Sequence, residues 1–467
     1  MRLRPEPSGS GLSAIALTLV CMGNFLVAFD ASALNVALPS MRADLHTGQV
    51  ALQWVLDGYT IPLAGVLLTA GVLGDRFGSR RVFVLAMATF GLTSLVCALS
   101  PGISLLVAAR CLQGVSAGVM LPMTLAIISR SFESPAARTK AIGTWGMTGG
   151  VALVSGPFLG GQFCQLWGWQ SVFLINVPIV TVSIVLALRT IRETSRHLDR
   201  GLDFPGQISA VVALICLTAG LIEAGRAGSS ASIVTALLVV ALLAGALFVL
   251  IEMRTAAPML PPGIFRRVSY RAAVLGGFAF QLAGYGMLFL LSVFVQASWG
   301  KEAGAAGLLM LPCTVMWFVG TILTRLLSAR FGPRKLLIAG GVLGTVGSAV
   351  VIFCGDAATW PLLVLGTGLA GVGAGLTAPS ISAAAMLSVD QHYAGLGSGV
   401  LNTGRQVGMA VGVAILGALS GVAGMRWGMG LIGAGFFAVA ALSAAYLRSL
   451  GEEPVTVVAV EAAETTP

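Results

Sequence analysis

Four ionisable side chains stand deep inside apolar runs of this sequence: Asp30, Asp57, Arg110 and Arg405. A charge at the centre of a bilayer costs at least ~2.5 kcal/mol, so each implies a partner, a proton or a pathway. Burial makes a carboxyl hold its proton, and a nearby guanidinium makes it let go. A carboxyl caught between the two, such as Asp30 near Arg110, can exchange a proton near working pH. That proton can be traded for a cationic or apolar solute, with about 2.3 kcal/mol per charge available from each 100 mV of membrane potential. The plainer reading is an ion pair that fixes helix packing. Asn35, Gln113, Asn402 and Gln406 are polar positions in similar runs. They read either as contacts in a cavity or as hydrogen bonds between helices, and Arg405 has the same two readings.

Other chemistry finds few candidates. The three histidines, His46, His197 and His392, fall in loops at both faces and cannot form one site. The seven cysteines include no CxxC pair, and all but Cys354 lie well inside apolar runs, so neither a disulfide framework nor a metal site is expected. Glu223 and Arg226 make an ordinary i,i+3 pair at a helix end. No nucleophile–base pair is visible, so no catalytic residue, metal or cofactor is predicted and an enzyme is not expected.

The elements that hold these residues follow from composition. The chain has 467 residues, is 57% hydrophobic and is only 10% charged. A soluble fold averages roughly 25% charged residues and could not bury so much apolar surface. A bilayer span takes about 20 apolar residues as a helix. Runs of that length are continuous here, as in SIVTALLVVALLAGALFVLI (232–251), and they lack the alternation of barrel strands. Fourteen runs are long enough: 12–38, 50–71, 81–99, 103–129, 140–163, 170–188, 206–224, 232–252, 270–296, 303–326, 335–354, 361–386, 395–420 and 426–447. The 61 glycines suit close helix packing in lipid. The tail from Gly451 is acidic, without pattern, and is expected to be disordered.

Lys and Arg set the orientation. With the N-terminus inside, 21 of the 27 basic residues fall in inner segments and 4 in outer loops. Both termini are therefore expected in the cytoplasm. The net charge of +9 is spread between apolar runs rather than gathered on one face, so nucleic acid is not an expected partner. On this topology Asp30, Asp57 and Arg110 lie seven or eight residues from the outer ends of spans 1, 2 and 4, roughly 10–12 Å deep. A carboxylate–Arg cluster of all three is expected.

The chain also repeats itself. DRFGSRR (75–81) returns as ARFGPRK (329–335), and GVSAGVMLP (114–122) returns as GVGAGLTAP (371–379). Both offsets equal eight helices, which points to two six-helix bundles with a two-helix insertion between them. The expected units are 1–205, 206–265 and 266–450, followed by the tail 451–467. Internal repeats of this kind are typical of secondary transporters, whose substrate site lies between the halves. Thr367 stands where the repeat would place a second Arg110, so proton chemistry is expected in the first half.

Six stretches carry a family likeness: FDASALNVALP (29–39), WVLDGYTIPLAG (54–65), GVLGDRFGSRR (71–81), LVAARCLQGVSAG (106–118), GGVALVSGPFLGG (149–161) and LNTGRQVG (401–408). In order and spacing the sequence resembles the major facilitator superfamily, and within it the fourteen-span drug:proton antiporters. The resemblance covers about residues 12–447. It implies an all-α integral membrane fold of 6 + 2 + 6 helices and proton-coupled export of amphiphilic drugs or antibiotics. A dedicated exporter of one endogenous metabolite is the alternative. It gives Asp30, Asp57 and Arg110 coupling or substrate roles.

The same resemblance makes Gly71, Asp75, Arg76, Gly78 and Arg80 a conformational latch. Physically this is also a tight, positive-inside loop, with Asp75 able to cap span 3. Ala329 replaces Asp75 in the second copy, which weakens the latch there. Gly149, Gly156, Pro157, Gly160 and Gly161 match a motif associated with exporters, and they equally read as close packing around a proline kink. In part of the family it resembles, an acidic residue in span 10 goes with divalent cations; span 10 here holds Cys313 and Trp317 instead, so the resemblance argues against dicationic substrates. Phe25, Trp54, Tyr59, Trp145, Phe289, Met310 and Trp317 could line a greasy cavity or simply face lipid. The resemblance implies a monomer in the plasma membrane, driven by proton-motive force. Arg-rich, Lys-poor usage suggests a GC-rich bacterium.

Overall fold

The computed structural model describes residues 9–132, 135–191, 204–225, 229–255, 262–354, 359–389, 394–419 and 421–447. The loop carrying His197, the position of His392 and the tail from Gly451 lie outside the described residues. Among those described there is no strand. The helices are α1 (Gly9–Asp44), α2 (Gln49–Phe77), α3 (Ser79–Ala98), α4 (Ile103–Ser131), α5 (Pro135–Trp167), α6 (Ser171–Leu174) and α7 (Asn176–Thr190). They continue as α8 (Phe204–Ala224), α9 (Ala231–Arg254), α10 (Val268–Trp299), α11 (Ala303–Val351), α12 (Trp360–Leu387), α13 (Ala394–Leu416) and α14 (Gly421–Tyr446). The short α6 and α7 together make the sixth span. The long α11 makes the tenth and eleventh, because it breaks at Gly332, whose φ is +68°. The face on which α1 begins is called near, and the face on which it ends is called far.

Twelve helical segments are long and apolar enough to cross a membrane. The other two spans are α5 and α13, of 33 and 23 residues. Both are long enough, but they carry polar positions such as Gln162, Asn402, Arg405 and Gln406. Their place in the fold explains this. α5 packs along α11, and α13 packs along α2, so both helices line the junction of the first six spans with the last six. The lipid-facing helices are the opposite case. Leu242 and Leu243 on α9 are 73% and 62% exposed, a pattern that only a hydrocarbon surround makes favourable.

Close packing follows the glycines, and it repeats. A Cβ on Gly114 would strike the Tyr59 carbonyl, and one on Gly118 would strike that of Leu63, so α4 lies directly on the α2 backbone. One repeat later, Gly371 meets the Cys313 carbonyl and Gly375 meets that of Trp317. The loop motif repeats just as closely. Gly78, at φ +93°, joins α2 to α3, as Gly332 joins the two arms of α11. Arg80 donates from Nη2 to the Leu188 carbonyl at 2.7 Å, near the end of α7. Arg334 donates to the Ala444 carbonyl at 3.1 Å, near the end of α14. Each arginine thereby satisfies a carbonyl left free in a last helical turn.

The hairpin of α8 and α9 sits against this junction. α8 touches α2 near the near face, where Thr69 Oγ1 donates to Gln207 Oε1 at 2.9 Å. It touches α13 near the far face, where a Cβ on Gly225 would strike Ala418. α8 therefore covers the α2–α13 seam.

Candidate functional site

Five elements of the first half converge on one buried cluster. α1 supplies Asp30, α4 supplies Arg110 and Gln113, α3 supplies Ser94, α7 supplies Asn176, and α2 supplies a carbonyl. All of the side chains named are fully buried. Arg110 Nη1 lies 2.5 Å from Asp30 Oδ2 and 2.7 Å from Gln113 Oε1. Arg110 Nε donates to the Val55 carbonyl at 3.0 Å. Gln113 Nε2 donates to Ser94 Oγ at 2.8 Å and to Asp30 Oδ1 at 3.2 Å. Asn176 Nδ2 reaches both Ser94 Oγ, at 3.3 Å, and Asp30 Oδ1, at 3.4 Å. The Tyr59 ring covers the guanidinium at 4.2 Å. An ion pair in a dry interior holds only when its other donors and acceptors are engaged, and here both Asp30 oxygens and the Arg110 Nε and Nη1 are.

Asp57 is the correction. Depth alone placed it with Asp30 and Arg110, but it does not join them. It is fully buried, and neither carboxyl oxygen has a hydrogen-bond partner. The reason is rotation about α2. Tyr59, two residues on, faces α4 and Arg110, so Asp57 points to the other side of its helix. It stands one turn from Gln53 and on the same face, the face turned to α13.

Gln53 belongs to a second feature, a seam closed at the far face. Its Nε2 donates to the carbonyls of Val413 and Ala414, at 3.2 and 2.9 Å, where α13 is ending. Ser292 Oγ donates to the Asn35 carbonyl at 2.7 Å, and Gln296 Nε2 donates to that of Val36 at 3.1 Å. Pro39 explains the first of these. It has no N–H to give the carbonyl four residues back, so Asn35 is left with a free acceptor. The Asn35 side chain turns to its own helix instead, donating to Ala31. Gln165 Nε2 donates to Glu302 Oε2 at 2.6 Å, and Gln162 Nε2 to the Gly304 carbonyl at 3.4 Å. Among the described residues, the side-chain hydrogen bonds between the two six-span groups all lie toward the far face.

The glycine–proline stretch of α5 has two working faces. Cβ atoms on Gly149, Gly156 and Gly160 would strike Asn24, Ser32 and Ala33 of α1. One on Gly161 would strike Ala303 of α11, and one on Gly307 would strike the Pro157 carbonyl. These glycines bring α5 against its own half and the opposite one at once.

The remaining candidates divide. Arg405 is half-buried between α13 and α10, with its Nε 3.5 Å from Gln281 Oε1. Asn402 and Gln406 are half-buried on α13. Arg76 is exposed and lies over the Phe77 ring. The side chain of Asp75, and the surroundings of Gly71, lie outside the described residues. The cap expected of Asp75 therefore also lies outside the described residues; α2 runs on to Phe77, and the residue before α3 is Gly78. Thr367 turns to its own helix, donating to the Leu363 carbonyl, so the second half has no counterpart of Arg110. Sequence reasoning did not single out Ser94, Asn176, Gln53, Ser292 or Gln296. Their signal was available as polar side chains in spans at the depth of the buried charges.

Comparison with known proteins agrees with this architecture. The Major Facilitator Superfamily model matches residues 20–328 and again 273–466. The methylenomycin A resistance protein of Bacillus subtilis is 31% identical over 419 residues, 89% of each chain. The multidrug resistance protein Stp of Mycobacterium tuberculosis is 32% identical over 405 residues, covering 86% of this chain and 75% of its own length. Among solved structures, a peptide transporter POT in complex with sulfate aligns with a TM-score of 0.70 at 13% identity, covering 96% of this chain and 99% of that one. The chain belongs to the Major Facilitator Superfamily, in the branch that holds these resistance proteins.

Proposed function

We propose that this protein is a proton-coupled antiporter that exports amphiphilic drugs or antibiotics by alternating access. The names of its relatives support export of such compounds. The observation that carries the proton reading is the pair of buried carboxyls, Asp30 held by Arg110 and Asp57 held by nothing. A carboxylate without hydrogen bonds is very costly in a dry interior, whereas the neutral acid is tolerated. Asp57 therefore fits the closed seam when it carries a proton. Opening the far side would wet it and let the proton exchange. Asp30, tied to the side chains of Arg110, Gln113 and Asn176, keeps the first half in one arrangement while this happens and responds when a solute perturbs Arg110.

The arginine-rich near face supports a cytoplasmic assignment for that side, with both termini inside a bacterial plasma membrane. The far face would then be external, and the described conformation is closed to it. The chain acts as a monomer, without a cofactor, on proton-motive force. The test is retention of a dye and antibiotic panel by pump-deficient bacteria, beside Asp30→Asn and with or without a protonophore. The panel spans cationic, neutral and acidic amphiphiles. Lowered retention that both controls abolish is expected. Unchanged retention across the panel, with the protein present in the membrane, would favour a dedicated exporter of one metabolite.

A further inference from the structure

The interior of the second half holds a cation with no counter-ion. Arg405 makes no ion pair with any described carboxylate. Its Nε has the single acceptor Gln281 Oε1, and neither Nη donates to a protein group. The guanidinium lies over the Phe280 ring at 5.7 Å. Phe280 meets Trp317 edge-on at 5.5 Å, and Trp317 meets Tyr285 at 6.0 Å. Tyr285 in turn packs against the group that contains Tyr59. Arg405 therefore stands at the head of a chain of aromatic contacts that runs toward the first half.

The charges around it favour one sign of ligand. Asp30 is neutralised by Arg110. Asp57 has no partner and is accommodated as the neutral acid. Away from the ends of the described spans, Arg405 is the cation left without a carboxylate. A guanidinium presents a planar fork of donors that matches a carboxylate in bidentate fashion, and it stays charged when buried. Half-buried, it has given up part of its hydration without receiving an anion in return.

We propose that Arg405 is the subsite for the anionic group of an aromatic organic acid, with Phe280, Trp317 and Tyr285 receiving its rings. This deepens the exporter reading, and rests on it for the route, by naming acidic amphiphiles as a substrate class. An anion leaving a negative interior also gains about 2.3 kcal/mol per charge from each 100 mV.

Binding is tested apart from transport. The purified chain in nanodiscs is titrated with three probes of one ring system: 2-naphthoate, its methyl ester and (2-naphthylmethyl)trimethylammonium. Tryptophan quenching is followed, with empty nanodiscs subtracted. Naphthoate is expected to bind at least about tenfold tighter than the ester, as one charge-assisted hydrogen bond requires. Arg405→Gln should remove that preference and leave ester affinity unchanged, and Arg405→Lys should keep part of it. Equal binding of all three probes by the unaltered protein would overturn the proposal, whatever the variants do. So would an equal loss of all three in Arg405→Gln at an unchanged melting temperature. Naphthoate binding without proton-driven efflux of the dye panel would instead refute the broad drug-export reading and leave the subsite standing.

Discussion

Arg110 is held at three points: Asp30 and Gln113 at one Nη, the Val55 carbonyl at Nε and the Tyr59 ring over its face. Removing one partner from such a pair leaves a buried charge uncompensated, at a cost of about 3–5 kcal/mol. Arg110→Ala should therefore lower the melting temperature sharply in detergent. The double variant Asp30→Asn with Arg110→Gln should recover most of that loss, because two neutral amides can still hydrogen-bond. A double variant as unstable as the single one would show that shape, not charge, holds the cluster. At this scale the sequence was readable in depth but not in direction. Counting residues from span ends placed Asp30 and Arg110 at one level, and they meet. The same count placed Asp57 there too, but helix rotation turned it toward the seam. Ser94 and Asn176 carry no charge, and their place in the cluster depends on neighbours that only the packed bundle supplies.

The helices meet through glycines and amides, and each kind of contact has its own test. Gly114 and Gly371 rest on backbone carbonyls of α2 and α11. A side chain there must push two helices apart, so overpacking is expected to cost about 1–3 kcal/mol or more at either site. Gly114→Leu and Gly371→Leu should both yield less monodisperse protein, by similar amounts if the two repeats are packed alike. The amides make a different prediction. Gln53 crosses to α13 from the same face of α2 as Asp57, so its loss should loosen the far face without unfolding the chain. Spin labels on Thr47→Cys and Lys301→Cys, in a background without native cysteines, should shift to longer distances with Gln53→Ala. An unchanged distribution would mean that the far face is held elsewhere. The glycine repeat and the proline positions were legible in sequence, down to the matching of Gly78 with Gly332. The seam was not, because Gln53, Ser292 and Gln296 look like isolated polar residues until the carbonyls they satisfy are known. The end of α2 was not legible either, because the helix runs on past its last apolar run to Phe77.

As a whole molecule, the chain divides its polar residues by place rather than by number. Lipid-facing α9 is apolar all round, and the junction helices α5 and α13 are not. Composition alone established a helical membrane protein, and the motifs established the family. The two halves share their glycine contacts and their arginine clamps, yet among the described residues the carboxylate–guanidinium pair lies mid-span in the first and the mid-span cation without a carboxylate in the second. This asymmetry is the basis of the proposal that protons exchange in the first half, at Asp57 on the seam and at Asp30 in the cluster. The most direct measurement follows protons during transport in everted membrane vesicles energised by respiration, with a pH-sensitive dye inside. Adding a dye-panel substrate should release protons from vesicles that contain the protein. Asp57→Asn should abolish that release while leaving the protein folded, and Asp30→Asn should abolish it with the loss of stability that an uncompensated Arg110 brings. Substrate uptake without proton movement, or proton release unchanged in both variants, would contradict the account.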